Sequence, residues 1–219
     1  MSLTQQRRLE EKERRREEII DAAERVIAAQ GYEAAKMEDI AREARVSRAL
    51  VYTYFRDKIE LYFAICERAL TLLRGEFERA AAAHQRGYDQ VAAIGRAYIA
   101  FAVRYPTYFM ALVRFETHSP DEANTDGTEG AVLAAGRCVH EVIVACLLRG
   151  VADGSIRKDL GDPMVMSLTL WSFSHGAIQI AQTKKAVFTQ EAIAVGDFLE
   201  HAIQMAMRAL APAKSSAGE

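Results

Sequence analysis

The sequence predicts an all-α protein: an N-terminal three-helix helix-turn-helix domain, then a helical-bundle domain of about six helices. Three observations carry this reading. Apolar residues recur three and four positions apart through most of the 219 residues, the spacing of one helix face. The runs are punctuated by helix start and stop residues, among them Gly31, Ser47, Asp57, Pro106 and Asp162-Pro163. The stretch from Lys36 to Leu61 reads as a helix, a short turn, a second short helix and the start of a third.

The N-terminal elements follow in order. Met1 to Glu13 mixes Arg7, Arg8 and Lys12 with Glu10, Glu11 and Glu13, and reads as a flexible arm or the frayed start of a helix. From Arg14 to Gln30, Ile19, Ile20, Ala23, Val26 and Ile27 form one stripe. Gly31 ends that helix as the residue beyond its C-cap, and Tyr32 packs back. In the next helix Met37, Ile40, Ala41 and Ala44 share a face, and Arg45-Val46 interrupt it. Ser47 stands where an N-cap should, its hydroxyl free to accept from an orphan backbone N–H. About two helical turns follow before Arg56. Val51 and Phe55 share the inner face, Ala49 and Thr53 point the opposite way, and Leu50 and Tyr52 lie on the flanks. Asp57 opens the third helix, with Glu60 forming a capping box. Ile19, Val26, Ile40, Val51, Phe55 and Leu61 are expected to meet in one small core.

Such a second helix enters the DNA major groove with its first residues at the base edges. Arg48 can donate a bidentate pair to guanine, and Ala49 and Leu50 can touch thymine methyls. Tyr52, Thr53, Tyr54 and Lys58 offer groups that hold phosphates and set register.

The run Ile40-Ala41, Val46-Ser47, Val51-Tyr52, Tyr54-Phe55, Lys58 and Leu61 resembles the DNA-binding domain of the TetR family of transcriptional repressors. The resemblance spans Arg14 to Ala69. It implies that Tyr52, Lys58 and the segment Ser47 to Leu50 contact DNA, with Arg7 and Arg8 as further candidates. Three positions depart from the family pattern. Lys36 replaces the usual Ser or Thr cap, and can itself reach a phosphate. Arg45 replaces the glycine of the turn, where a left-handed backbone would strain it. Ala49 stands where a glycine is often found.

The long helix from Asp57 to about Gln85 carries Leu61 and Tyr62 in the first core. Ile65, Leu70, Leu73 and Phe77 enter a second one, so one rod joins both domains and offers a route for a signal. Helices follow over 88–105 and, from Pro106, to about Thr117. Ser119 to Thr128 is a turn-rich loop and the clearest mobile candidate. Glu129 to Ala152 is apolar on nearly all sides, and Asp153-Gly154 stops it. Asp162 caps a helix with Pro163 at its first position, running to about Thr183. Thr189 is expected to cap the last helix, which ends before Pro212. The domains are placed at 1–62 (with 1–13 as the arm) and 63–211, followed by a disordered tail at 212–219.

Helices without a polar face must be covered on both sides. A ligand cavity and a subunit interface are the two outlets. The stretch GVADGSIRKDLGDP and the Trp-containing helix after it also resemble the TetR-family regulatory domain. That implies a homodimer through the last two helices, Pro163–Thr183 and Thr189–Leu210, reading a palindromic operator. It also implies a small apolar or amphipathic effector. Tyr98, Phe101, Tyr105, Phe109, Phe115, His118, Arg137, His140, Glu141, Trp171 and His175 are the residues placed to line its pocket.

Net charge is −2, with thirteen Lys/Arg and thirteen Asp/Glu up to Glu60, so DNA contacts must depend on which face carries the charge. Three cysteines inside helical patterns suit a reducing cytoplasm. There is no signal peptide pattern, and no uninterrupted run of ~18 apolar residues to span a membrane. Cys138-x-His140 lacks a second ligand pair, so no metal is expected, and no cofactor. No nucleophile–base–orienter set or phosphate loop points to an enzyme. The other readings are a helix-turn-helix-derived protein-interaction module, kept open by the balanced charge and Arg45, and a small-molecule enzyme in a helical bundle.

Overall fold

The computed structural model describes residues 2–117 and 127–212. Among the described residues there are ten helices and no strand. His118, most of the 119–128 loop and the tail beyond Pro212 lie outside them. The chain divides into two compact units, residues 1–69 with 107–133, and residues 70–106 with 134–219.

The first unit holds α1 (Leu3–Ala34), α2 (Met37–Glu43), α3 (Arg48–Tyr54), the first half of α4 (Lys58–Ala82), α6 (Pro106–Phe115) and the start of α7 (Thr128–Ala152). Residues 3–13, expected as a flexible arm or the frayed start of a helix, are helical. Ser2 and Gln5 close a capping box at the N-terminus: Ser2 Oγ accepts from Gln5 N at 3.3 Å and Gln5 Oε1 accepts from Ser2 N at 2.9 Å. Gly31, at φ 81°, breaks the helix near its end, and Tyr32 turns back edge-on to Tyr62, ring centroids 4.6 Å apart. Ile19, Ile40, Val51, Phe55 and Leu61 are buried together as expected, whereas Val26 is only half-buried.

Helix α6 belongs to this unit, although the sequence pattern placed it with the C-terminal helices. Its Ala111 carbonyl accepts from the buried Tyr62 hydroxyl at 2.6 Å. Phe115 meets Phe63 edge-on at 5.5 Å. Tyr108 donates to Glu24 of α1 at 2.9 Å. Arg68 of α4 gathers Glu17, Asp21 and Glu24 along α1.

The second unit holds the rest of α4 and α7, with α5 (Gly87–Arg104), α8 (Pro163–Thr183), α9 (Lys185–Gln190) and α10 (Val195–Leu210). The N-terminus of α5 has no side-chain cap of its own. Asp153 and Ser155, just beyond α7, supply one: Asp153 Oδ2 accepts from Gly87 N at 2.8 Å and Ser155 Oγ from Tyr88 N at 3.1 Å. The approach is so close that a Cβ on Gly87 would lie 2.1 Å from Gly150 N. Asp162 caps α8 as expected, accepting from Met164 N at 2.7 Å and Val165 N at 3.1 Å.

Thr189 does not cap the last helix. It sits inside the short α9, where its hydroxyl donates to the Lys185 carbonyl at 3.1 Å, and α10 starts later, after Ala194. Leu199, Ala202, Ile203, Met207 and Leu210 form the buried stripe of α10. By length and composition alone α7 is apolar enough to cross a membrane. In the fold Glu129, Val132, Val139, Ile143, Cys146 and Leu147 are its buried side chains.

Candidate functional site

The turn between α2 and α3 is built by a C-terminal cap. Arg45 N donates to Arg42 O at 3.1 Å, and Val46 N to Ala41 O at 3.0 Å. This paired pattern is the Schellman motif, which puts its middle residue in the left-handed region. Arg45 accordingly has φ 57°, in a place where glycine carries no penalty. The chain then leaves in extended form, and Ser47 Oγ accepts from Leu50 N at 3.1 Å to start α3.

Anchoring is one-sided. Val51 and Phe55 are buried, and the guanidinium of Arg16 lies 5.5 Å from the Phe55 ring centroid. Ser47, Arg48, Ala49, Tyr52 and Thr53 are exposed together, with Leu50 and Tyr54 half-buried at their flanks. Thr53 Oγ1 donates back to Leu50 O at 2.6 Å, which ties its hydroxyl proton to the helix. Lys36 is exposed at the start of α2 and makes no side-chain cap there.

Two of the candidate side chains are held in ways the sequence did not disclose. Arg48 Nη1 meets Glu38 Oε1 of α2 at 2.8 Å, and its guanidinium lies 5.4 Å from the Tyr52 ring centroid. A hydrogen bond to Tyr52, with the charge of Glu38, raises the pKa of Arg48 above its ordinary value. Lys58 Nζ reaches the carbonyls of Tyr32 (2.9 Å), Ala35 (3.1 Å) and Glu33 (3.4 Å) at the end of α1. Its three donors therefore close orphan carbonyls. Arg114 of α6 completes the cluster, 4.1 Å from the Tyr32 ring centroid and 2.6 Å from Glu33. No periodic pattern marks Glu38, Arg114 or Arg68, because each acts across elements.

The expected effector residues are dispersed. Phe109 and Phe115 lie in the first unit. In the second, Tyr98 and His175 are buried, with the tyrosine oxygen 2.7 Å from His175 Nδ1. His140 Nδ1 lies 2.9 Å from Ser167 Oγ, and burial pushes the His140 pKa down. Trp171 stands between the two histidines, its ring 5.7 Å from His140 and 5.8 Å from His175. Phe101 is buried beside Tyr105. Arg137 and Glu141 pair with each other at 3.2 Å on the exposed side of α7, so they do not form one cluster with His140.

A crevice of about 580 Å³ lies between the second half of α4 and α7. Its lining includes Arg74, Glu78, Gln90, Cys138, Glu141 and Arg149. Sequence reasoning placed only Glu141 near such a space. Gln90 is buried there; its amide nitrogen donates to the His84 carbonyl at 2.9 Å. No group of three or more His, Cys, Asp or Glu suited to a metal occurs among the described residues.

Comparison with known proteins matches this chain to a family. Residues 19–65 match the profile of bacterial regulatory proteins of the tetR family. Residues 91–206 match a tetracyclin repressor-like C-terminal domain. The HTH-type transcriptional regulator HbdR of Aromatoleum sp. is 40% identical over 67 residues, 31% of this chain and 29% of that protein. The HTH-type transcriptional activator FasR of Mycolicibacterium smegmatis is 40% identical over 57 residues, 26% of each. This chain thus spans less than a third of the length of these two relatives. A Rhodococcus sp. RHA1 protein of unknown function is similar in structure, with TM-score 0.71 and 25% identity over 90% of this chain and 95% of that one. Bacillus subtilis FadR in complex with stearoyl-CoA shares the fold at 15% identity, TM-score 0.68, over 88% and 98% of the two chains.

Proposed function

The chain belongs to the tetR family of bacterial regulatory proteins, and from that membership we propose that it binds a palindromic operator as a homodimer, represses transcription there, and is released by a small apolar or amphipathic effector. The observation that carries the reading is α3, buried on Val51 and Phe55 and presenting Ser47, Arg48, Ala49, Tyr52 and Thr53 to solvent. Lys36, Leu50 and Tyr54 complete the proposed DNA face, and Lys58 would reach a phosphate only by giving up a carbonyl it holds at the end of α1. One short helix reads few bases, so two copies about 34–36 Å apart are needed to specify a site.

The last two long helices, α8 and α10, supply the proposed interface, and α8 carries its exposed apolar stripe. Val165, Leu168, Phe173 and Ile180 are all exposed along one side of α8, and Gly176 on that side has no neighbour within 4 Å. An apolar stripe of this kind is covered in a stable protein. Phe173→Glu should give monomers in sedimentation and lose operator affinity.

We place the effector in the second unit, at Tyr98, Phe101, Tyr105, His140, Trp171 and His175, with Glu141 at the α4–α7 crevice. Bacillus subtilis FadR, which shares the fold, is in complex with stearoyl-CoA, a ligand of the amphipathic class, and this supports the reading. By linkage, operator binding would weaken the effector to the same degree that the effector weakens the operator. The protein would work in the cytoplasm, where the DNA is.

The test is titration of upstream DNA at two salt concentrations. One palindromic fragment should be retarded, with log affinity falling linearly in log salt. Tyr52→Ala should weaken binding to all sequences, and Arg48→Ala should relax sequence preference. Uniform weak binding to every fragment would sink the regulator reading.

A further inference from the structure

We propose that Glu38 is a positioning residue for base recognition, holding Arg48 so that α3 discriminates at one base pair per half-site. The inference rests on the reading of α3 as the DNA-reading helix.

The geometry is specific. Arg48 is the first residue of α3 and Glu38 is in the first turn of α2, so the 2.8 Å ion pair joins the two helices of the motif. Tyr52, one turn along α3, lies under the same guanidinium at 5.4 Å. Arg48 is thus fixed from two sides while its side chain stays 60% exposed. A guanidinium has five donors in a planar fork. With Nη1 paired to Glu38, the fork keeps further donors for the paired acceptors of guanine.

An unrestrained arginine loses considerable rotamer freedom when a base captures it, and a pre-set fork loses less. The carboxylate has a second effect. Glu38, 43% exposed, puts a negative charge beside the face that approaches phosphates. It therefore weakens binding in which Arg48 finds no base partner, since such binding is almost wholly electrostatic. Glu38 raises discrimination and lowers indiscriminate affinity together.

That pair of effects separates positioning from simple structural support. A residue that only stabilised α2 would, when removed, weaken binding to all DNA.

The experiment uses the full-length protein. A preferred site is selected from random duplex DNA with the wild type, and every single base-pair substitution in one half-site is then titrated. Glu38→Ala should lower discrimination about tenfold at the base pair where Arg48→Ala lowers it, the size of one good bidentate contact, and nowhere else. Its affinity for unrelated DNA should rise. Glu38→Gln, which keeps a hydrogen-bond acceptor, should restore part of the discrimination. Adding Glu38→Ala to Arg48→Ala should change the profile no further. If Glu38→Ala keeps the wild-type profile, or flattens other base pairs, the proposal is overturned while the regulator reading stands. If the wild type selects no sequence at all, both fall.

Discussion

Replacing Arg45 by glycine should stabilise the protein, and the size of the gain can be worked from the turn. Arg45 has φ 57° because the Schellman pattern at the end of α2 requires a left-handed residue there. For an L-residue that conformation costs roughly 1–2 kcal/mol. Glycine avoids the cost but gives up about 0.5–1 kcal/mol of chain entropy on folding. The net expectation is a gain of about 0.5–1 kcal/mol, or roughly 1–4 °C in Tm for a chain of this length. Arg45 is exposed, so little packing is lost with it. Arg45→Ala is the control: it keeps the strained backbone and should change Tm by less than about 1 °C, as surface substitutions usually do. Circular dichroism melts of the three proteins decide the matter. A Tm for Arg45→Gly at or below that of the wild type would refute the reasoning, because the arginine side chain would then have to return what its backbone costs. Operator binding provides a second readout. Loss of one cation should reduce the salt slope by no more than about 1.

The caps make the next test: Lys36→Ser should supply the missing side-chain cap of α2 and add about 1 kcal/mol in urea unfolding, while Ser47→Ala should lose about the same from α3. Gly87→Ala should be severely destabilising, by about 1–3 kcal/mol or more, since its Cβ would lie 2.1 Å from a backbone nitrogen; an unchanged urea midpoint would mean that α5 does not dock on α7 as described. The thiols should differ with pH. Burial pushes the Cys66 thiol up to about 12 and raises Cys146 as well, so both stay protonated at pH 8. A thiol reagent should therefore label half-buried Cys138 first in the native protein and all three in denaturant; rapid native labelling of Cys66 would contradict its burial.

Much of the fold was legible where its signals are local. The Ser47 cap, the Val51–Phe55 inner pair and the Asp162-Pro163 start each depend on residues within a turn of one another, and the structure has them where the spacing put them. The same kind of signal was present at Ser2-x-x-Gln5, whose capping box starts α1 well ahead of Arg14. Thr189 failed for the converse reason. It is a good capping residue, yet α9 holds the chain in another helix there. What acts across elements left no mark. Nothing local singles out Gly87, whose missing side chain is what lets α5 sit against α7 and take its cap from Asp153 and Ser155. Glu38 carries no sequence signal either, although it pairs with Arg48. Phe109 and Phe115 read as pocket aromatics because helix α6 is apolar, and periodicity does not say which unit an apolar helix joins.

The docking of α6 bears on how an effector would act. An effector shifts an equilibrium only through a difference in its affinity for two states, so some element must differ between them and touch the DNA-reading motif. Helix α6 follows α5 directly, with only Tyr105 between them. Within the first unit its Arg114 grips Glu33 and covers Tyr32, and Lys58 holds the carbonyls of Tyr32, Glu33 and Ala35. Those residues lead straight into α2, while Lys58 opens α4 just after α3. A displacement of α6 would therefore pull on both ends of the α2–α3 pair without touching their shared core. Arg114→Ala removes the grip and leaves α3 intact. Amide hydrogen exchange should then quicken over residues 32–36 and at the start of α4, with the buried turn at Val51 less affected and α5 unchanged. If exchange over 32–36 stays as in the wild type, Arg114 carries no strain to the motif, and the route must run through α4 alone.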